Sequence, residues 1–114
     1  MKEIEINGVK YAPVTDAELC ENYSIVRTYS AGVFAGEIVS RDGKECTMKN
    51  ARRLWFWAGA ASLSEMATKG TSDPDACKFP CAVAEVILTE VIEVLACTRI
   101  AQESIMGVKE WTQH

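Results

Sequence analysis

Two short turn signals, Ser30-Ala31-Gly32 and Arg41-Asp42-Gly43, separate stretches whose side chains alternate with period two, which confines this region to an antiparallel meander. From Tyr23, residues Ile25, Arg27 and Tyr29 fall on one side and Val26 and Thr28 on the other, predicting a first strand. Val33 to Ser40 predicts the second, with Gly36 leaving room for a neighbouring backbone or ligand. Asp42-Gly43 supplies the left-handed geometry that a tight hairpin requires. A third strand begins at Lys44, with Cys46 and Met48 alternating against Glu45, Thr47 and Lys49. Continued past Asn50, the alternation puts Arg53, Trp55 and Trp57 on one side and Arg52, Leu54 and Phe56 on the other, until Gly59 ends it. Large side chains on both sides point to a strand covered twice, or to one that enters an interface.

The flanks supply the remaining elements. Ile4 and Ile6 alternate with Glu3 and Glu5, Asn7-Gly8 follows, and Val9 and Tyr11 resume the pattern, predicting a small N-terminal edge hairpin. Thr15 to Leu19 has the spacing of a single capped helical turn. Ala60 to Lys69 predicts a helix: Ser62 and Glu65 stand at capping-box spacing, and Gly70 is placed to terminate it. Thr71 to Pro80 is a loop rich in breakers, with Phe79 as its anchor. Val83 to Cys97 has apolar residues at helical spacing, yet its β-branched content favours an extended pair or one long bent strand. Thr98 then caps a second helix running to Trp111. The fold class is α+β over a single domain, 1–114: an antiparallel sheet built from the N-terminal hairpin, the meander and a later strand, with short helices at Ala60–Lys69 and Thr98–Trp111.

Composition narrows the function. With 114 residues, 48% of them apolar, the chain can bury a core without staples. A net charge of -4 argues against a general binder of DNA or RNA polymers, which need a basic surface. Five cysteines, an odd number, with no signal-like stretch behind Met1, predict reduced thiols and a cytoplasmic protein. Cys77 and Cys81 are four apart, but the sole histidine is His114 and no second close cysteine pair completes a zinc set, so no metal site is expected. The apolar run around Val86 to Cys97 is broken by Glu90 and Glu93, so no membrane span is expected either.

No nucleophile has a base supplied by sequence context, and no phosphate loop or dinucleotide fingerprint is present, so the residues predict no catalytic group, no cofactor and no enzyme. They do compose a binding inventory. Arg27, Arg52 and Arg53 offer forks for phosphate oxygens, and Asn50 can donate to and accept from a base edge. Tyr29, Phe34, Trp55 and Trp57 offer flat surfaces for stacking a base. The same residues admit a plainer reading, in which several aromatics are core, Arg27 pairs with Glu37 and Asn50 is a turn residue. Neighbouring arginines on a strand point to opposite faces, so one of Arg52 and Arg53 reaches any single site. The two-sided aromatic strand also predicts a homo-oligomer.

The runs TYSAGVFAG at Thr28 to Gly36 and NARRLWFWAGAASLSEMA at Asn50 to Ala67, with the later KFP and a Cys-Thr pair before a helix, resemble a small family of phage and prophage proteins of unknown-function type. The likeness runs from about Ile4 to Trp111. Through it the chain is similar to phage sponge proteins that counter Thoeris-type bacterial immunity by sequestering cyclic nucleotide signals. That resemblance implies a phage-encoded anti-defence protein of the host cytoplasm, capturing a cyclic ADP-ribose type signal or a cyclic oligonucleotide without cleaving it. Arg27, Asn50, Arg52 and Arg53 are then its first pocket candidates. The alternative is a phage accessory protein that binds a host protein through its aromatic strand.

Overall fold

A computed structural model describes residues 4–6, 9–11 and 18–112. The elements are β1 (Ile4–Ile6), β2 (Val9–Tyr11), β3 (Leu19–Thr28), β4 (Val33–Asp42), β5 (Glu45–Arg53), α1 (Leu63–Lys69), β6 (Ala82–Leu88), β7 (Val91–Thr98) and α2 (Arg99–Gly107). Strands β1 and β2 pair antiparallel as the expected hairpin, but as a two-stranded sheet of their own rather than as an edge of the main one. The expected helical turn at Thr15 to Leu19 lies mostly outside the described residues; its last residue, Leu19, opens β3.

The main sheet is antiparallel with order β6-β5-β4-β3-β7. Consecutive strands β6 and β7 therefore occupy opposite edges, joined only by Thr89 and Glu90. In a flat sheet those edges would stand about 19 Å apart, four spacings of ~4.8 Å. Three residue steps reach only ~11 Å. The sheet must therefore curl into a half-barrel, and the Thr89-Glu90 link closes one end: Tyr29 donates its amide to the Glu90 carbonyl at 2.9 Å and Val91 donates to Lys44 at 2.9 Å. Val26, Phe34, Met48, Ala51, Leu88 and Val91 form one core that draws on both edges, so it fills the concave side. The opposite face carries Tyr23, Ile25 and Ala35, packed against Met66, Ala101 and Ile105 of the two helices.

The phase of β5 slips at Asn50, whose φ is +52°. Before it, Cys46 and Met48 face the concave core; after it Ala51 does, while Arg52 turns to the helical side. The partner strand bulges at the same place, and an added Cβ on Gly36 would meet Ala51 Cα at 2.7 Å. Gly36 thus makes room for backbone, one of the two uses expected of it. The third strand stops at Arg53, short of the expected Gly59. Beyond it only Phe56 keeps a bridge, to Lys78, because Trp55 and Trp57 have left the sheet plane to meet later segments.

Helix α1 starts later than expected, since Ser62 is its cap: the hydroxyl accepts from Glu65 N at 3.2 Å, while the Glu65 carboxylate accepts from Ala61 N at 2.6 Å. Gly70 ends it at φ +76°. Thr98 caps α2 as expected, accepting from Ala101 N, but the helix ends at Gly107 rather than Trp111. The chain instead extends, placing Glu110 beside Phe79 and bonding Trp111 N to the Phe79 carbonyl at 3.0 Å. The tail gains Phe79 as partner, which continued helix would forgo. Phe79 itself is fully buried, as an anchor should be.

All five cysteines are free thiols. Burial pushes the Cys97 thiol up to about 12 and raises Cys46 and Cys20 as well. A raised pKa leaves less reactive thiolate at mildly alkaline pH. Iodoacetamide should therefore modify the exposed Cys81 first, and Cys46 and Cys97 only after unfolding, as read by peptide mass mapping. Equal rates at Cys97 and Cys81 in the native protein would contradict this packing.

Candidate functional site

The eight residues singled out in the sequence fall in different places, and the two neighbouring arginines diverge as strand geometry requires. Arg53 is exposed beyond the concave core, its guanidinium carbon 4.4 Å from the centroid of the buried Phe34 ring. One Nη1 donates to the Ala31 carbonyl, which pins the fork across the β3–β4 turn. Arg53, Trp55 and Trp57 line one cleft of about 350 Å³ with Ser30 to Val33. Phe34 lies beneath that cleft as a platform for the arginine, so its ring is not open to a ligand.

Trp55 stacks on Trp111 at 5.0 Å with the planes 13° apart, yet remains 58% exposed. One ring face is covered and the rest is available. Lys78 Nζ lies 5.7 Å from the Trp55 centroid, 5.8 Å from Phe56 and 5.7 Å from Trp111, a cation held among three rings. Tyr29, 79% exposed, stands on the β3–β4 turn beside Ser30. The result is an aromatic surface with two cations, Arg53 and Lys78, and no carboxylate among the residues that line its cleft. Lys78, Phe56 and Trp111 were not singled out in the sequence, since only the folded tail brings Trp111 across to Trp55.

Arg52 has a different occupation. Only 7% exposed, it donates from Nε to Pro80 O at 3.1 Å, from Nη1 to Ile105 O at 2.9 Å and Val108 O at 2.7 Å, and from Nη2 to Phe79 O at 2.7 Å. Burial draws its pKa below the ordinary value, while Tyr23, Glu110 and Cys81 act in the opposite direction. A guanidinium has five N–H groups, so four carbonyls leave it little for a phosphate. It ties the end of α2 and the segment before β6 to the sheet. A cation at a helix C-terminus is favourable on electrostatic grounds as well.

Asn50 lies on the same side as Arg52 and donates from Nδ2 to Glu37 Oε2 at 3.5 Å. Asn50, Arg52, Tyr23 and Glu37 share a second cleft of about 480 Å³, apart from Arg53. Arg27 pairs with Glu93 of β7 at 2.9 Å, not with Glu37 as the plainer sequence reading had it; its cross-strand neighbour on β4 is Val33. Among the described residues, no group of three or more His, Cys, Asp or Glu could hold a metal ion, and no helix is long and apolar enough to cross a membrane.

No curated protein and no solved structure matches the chain. A family does: residues 21–105, most of the sequence and all of the five-stranded sheet except the first two residues of β3, match a domain of unknown function, DUF6948, and the chain belongs to that family.

Proposed function

We propose that this protein captures a small phosphate-bearing nucleotide on the Arg53–Trp55 cleft and holds it without breaking a bond. The observation that carries the reading is the Trp55 ring, backed by Trp111 yet 58% exposed, lining one cleft with the pinned Arg53. A base stacked on an aromatic side chain contributes ~1–3 kcal/mol. Arg53 then meets a phosphate oxygen in a charge-assisted contact, and Lys78 adds positive potential. The two arginines do not act together, because Arg52 is spent on carbonyls.

The cleft, about 350 Å³, sits at the low end of the ~300–1,000 Å³ typical of small-molecule sites. It suits one base and one phosphate. A cyclic dinucleotide or cyclic ADP-ribose type signal would be enclosed fully when a second copy supplies the same surface, which is the reason to expect a homo-oligomer. The likeness of the NARRLWFWAGAASLSEMA run to phage and prophage proteins supports the biological half of the proposal: a phage-encoded sponge acting in the host cytoplasm to blunt nucleotide-signalled immunity.

Native mass spectrometry of the protein with cyclic dinucleotides, cyclic trinucleotides and cyclic ADP-ribose isomers tests this. A discrete added mass, released intact on denaturation, is expected. Trp55→Ala and Arg53→Ala should each weaken uptake by about 5- to 150-fold, the affinity equivalent of ~1–3 kcal/mol. Absence of any added mass, or uptake unaffected by both variants, would overturn the proposal. A second reading is favoured by the exposed Phe56 next to Trp55: a host protein docks on this aromatic surface. In that case the purified protein shows no nucleotide absorbance near 260 nm and takes up none of the panel.

A further inference from the structure

The second cleft has chemistry opposite to the first. Tyr23 is 4% exposed, and its hydroxyl has no hydrogen-bond partner among the described residues. It stands at the wall shared by two openings, the one of about 480 Å³ and a neighbour of about 550 Å³, and Glu37 lines both. A buried hydroxyl without a partner destabilises the fold. Its nearest cation does not relieve it, because Arg52 donates to four carbonyls instead.

Two carboxylates flank this groove, Glu37 from β4 and Glu110 from the tail. Neither forms an ion pair among the described residues; Glu37 accepts one long contact from Asn50. Arg52 offsets part of their charge, but it lies bound beneath the surface. What faces an incoming ligand is carboxylate and amide, with the buried Tyr23 hydroxyl set in the wall behind them. The remaining wall is apolar, from Ala82, Val108 and Met106, whose side chain is exposed. A phosphate is repelled here, and an ammonium joined to a short hydrocarbon is matched at both ends.

We propose that the groove between Tyr23, Glu37 and Glu110 binds a small aliphatic amine. Its ammonium donates to the Glu37 carboxylate and the Tyr23 hydroxyl oxygen, its methylenes lie along Met106 and Val108, and a second ammonium, where present, meets Glu110. This site is separate from the aromatic cleft, so either can fail without the other.

The test is isothermal titration of the full chain with 1,4-diaminobutane, with 1,4-butanediol as its uncharged counterpart. Saturable one-to-one binding of the diamine, and none of the diol, is expected. Glu37→Gln should weaken binding about tenfold, a lost charged hydrogen bond at a half-open site. Tyr23→Phe should weaken it several-fold while raising the thermal midpoint by several degrees, since the hydroxyl it removes is buried without a partner. Glu45→Gln, an exposed carboxylate at the far end of β5 opposite Asp42, should bind as the parent does. Absence of saturable heat, equal binding of the diol, or unaltered affinity in a Glu37→Gln, Glu110→Gln variant would each overturn the site. Should Tyr23→Phe disturb folding, the two glutamate substitutions decide alone.

Discussion

Replacing Arg52 with Met is expected to lower unfolding stability by about 4 kcal/mol, far more than a surface arginine would. Four carbonyls lose a donor, but not equally. Ile105 O also accepts from Val108 N, and Phe79 O from Trp111 N, so those two keep a partner. Pro80 O and Val108 O lose the arginine that serves them. At ~1–3 kcal/mol for each buried group left unpaired, two such losses give the figure above. For a domain near this size 1 kcal/mol moves the thermal midpoint by roughly 4–8 °C, so a drop of at least about 15 °C should appear in circular dichroism. Arg52→Lys should recover less than half, because a point charge with three donors cannot span four carbonyls on two segments. A midpoint within a few degrees of the parent would show that the arginine does not tie these segments to the sheet.

Phe79→Ala is expected to cost about 3–5 kcal/mol, the range for emptying an aromatic site in a closed core. Among the described residues Phe79 is the largest fully buried side chain, reached by the sheet and by both helices. Its ring lies 5.6 Å from the Arg52 guanidinium carbon, and its carbonyl accepts from the same residue. The two substitutions should therefore be non-additive. A double-mutant cycle in urea should give a coupling of ~0.5–3 kcal/mol, the range for residues in contact. Additive losses would mean that Phe79 and Arg52 stabilise the tail separately.

Much of the scaffold was legible because it rests on local signals. Asp42-Gly43 makes a tight turn wherever it stands, and the alternation on either side of it specifies strands. Ser62 and Thr98 cap helices through bonds that span three residues, and Gly70 ends one by its own backbone freedom. The β-branched run of Val83 to Cys97 did form two strands, β6 and β7. What it lacked was any sign that they lie on opposite edges, since strand order depends on which surfaces bury each other. The overextended third strand and second helix have a common cause. Both runs continue a local pattern, and both are cut where a distant partner offers more: Trp111 for Trp55, Phe79 for the tail.

The candidate site shows the same division more sharply. Residue chemistry picked out Arg53, Trp55 and Trp57, which do share a cleft, and strand parity separated Arg52 from Arg53. Parity did not say which of the two would be buried. The one-residue slip at Asn50 decided that, and it turned Arg52 toward the carbonyls of α2. Glu37 reads in the sequence only as a partner for Arg27, and Glu110 and the Tyr23 hydroxyl carry no signal of their own, because each is ordinary in its own stretch of chain. By itself the sequence determined the elements and the chemical repertoire, since turns, caps and alternation act within a few residues. Tertiary structure alone decided which side chains were consumed in holding the fold and which were left facing a cleft, because hydrogen-bond satisfaction and burial are settled between segments far apart in the chain.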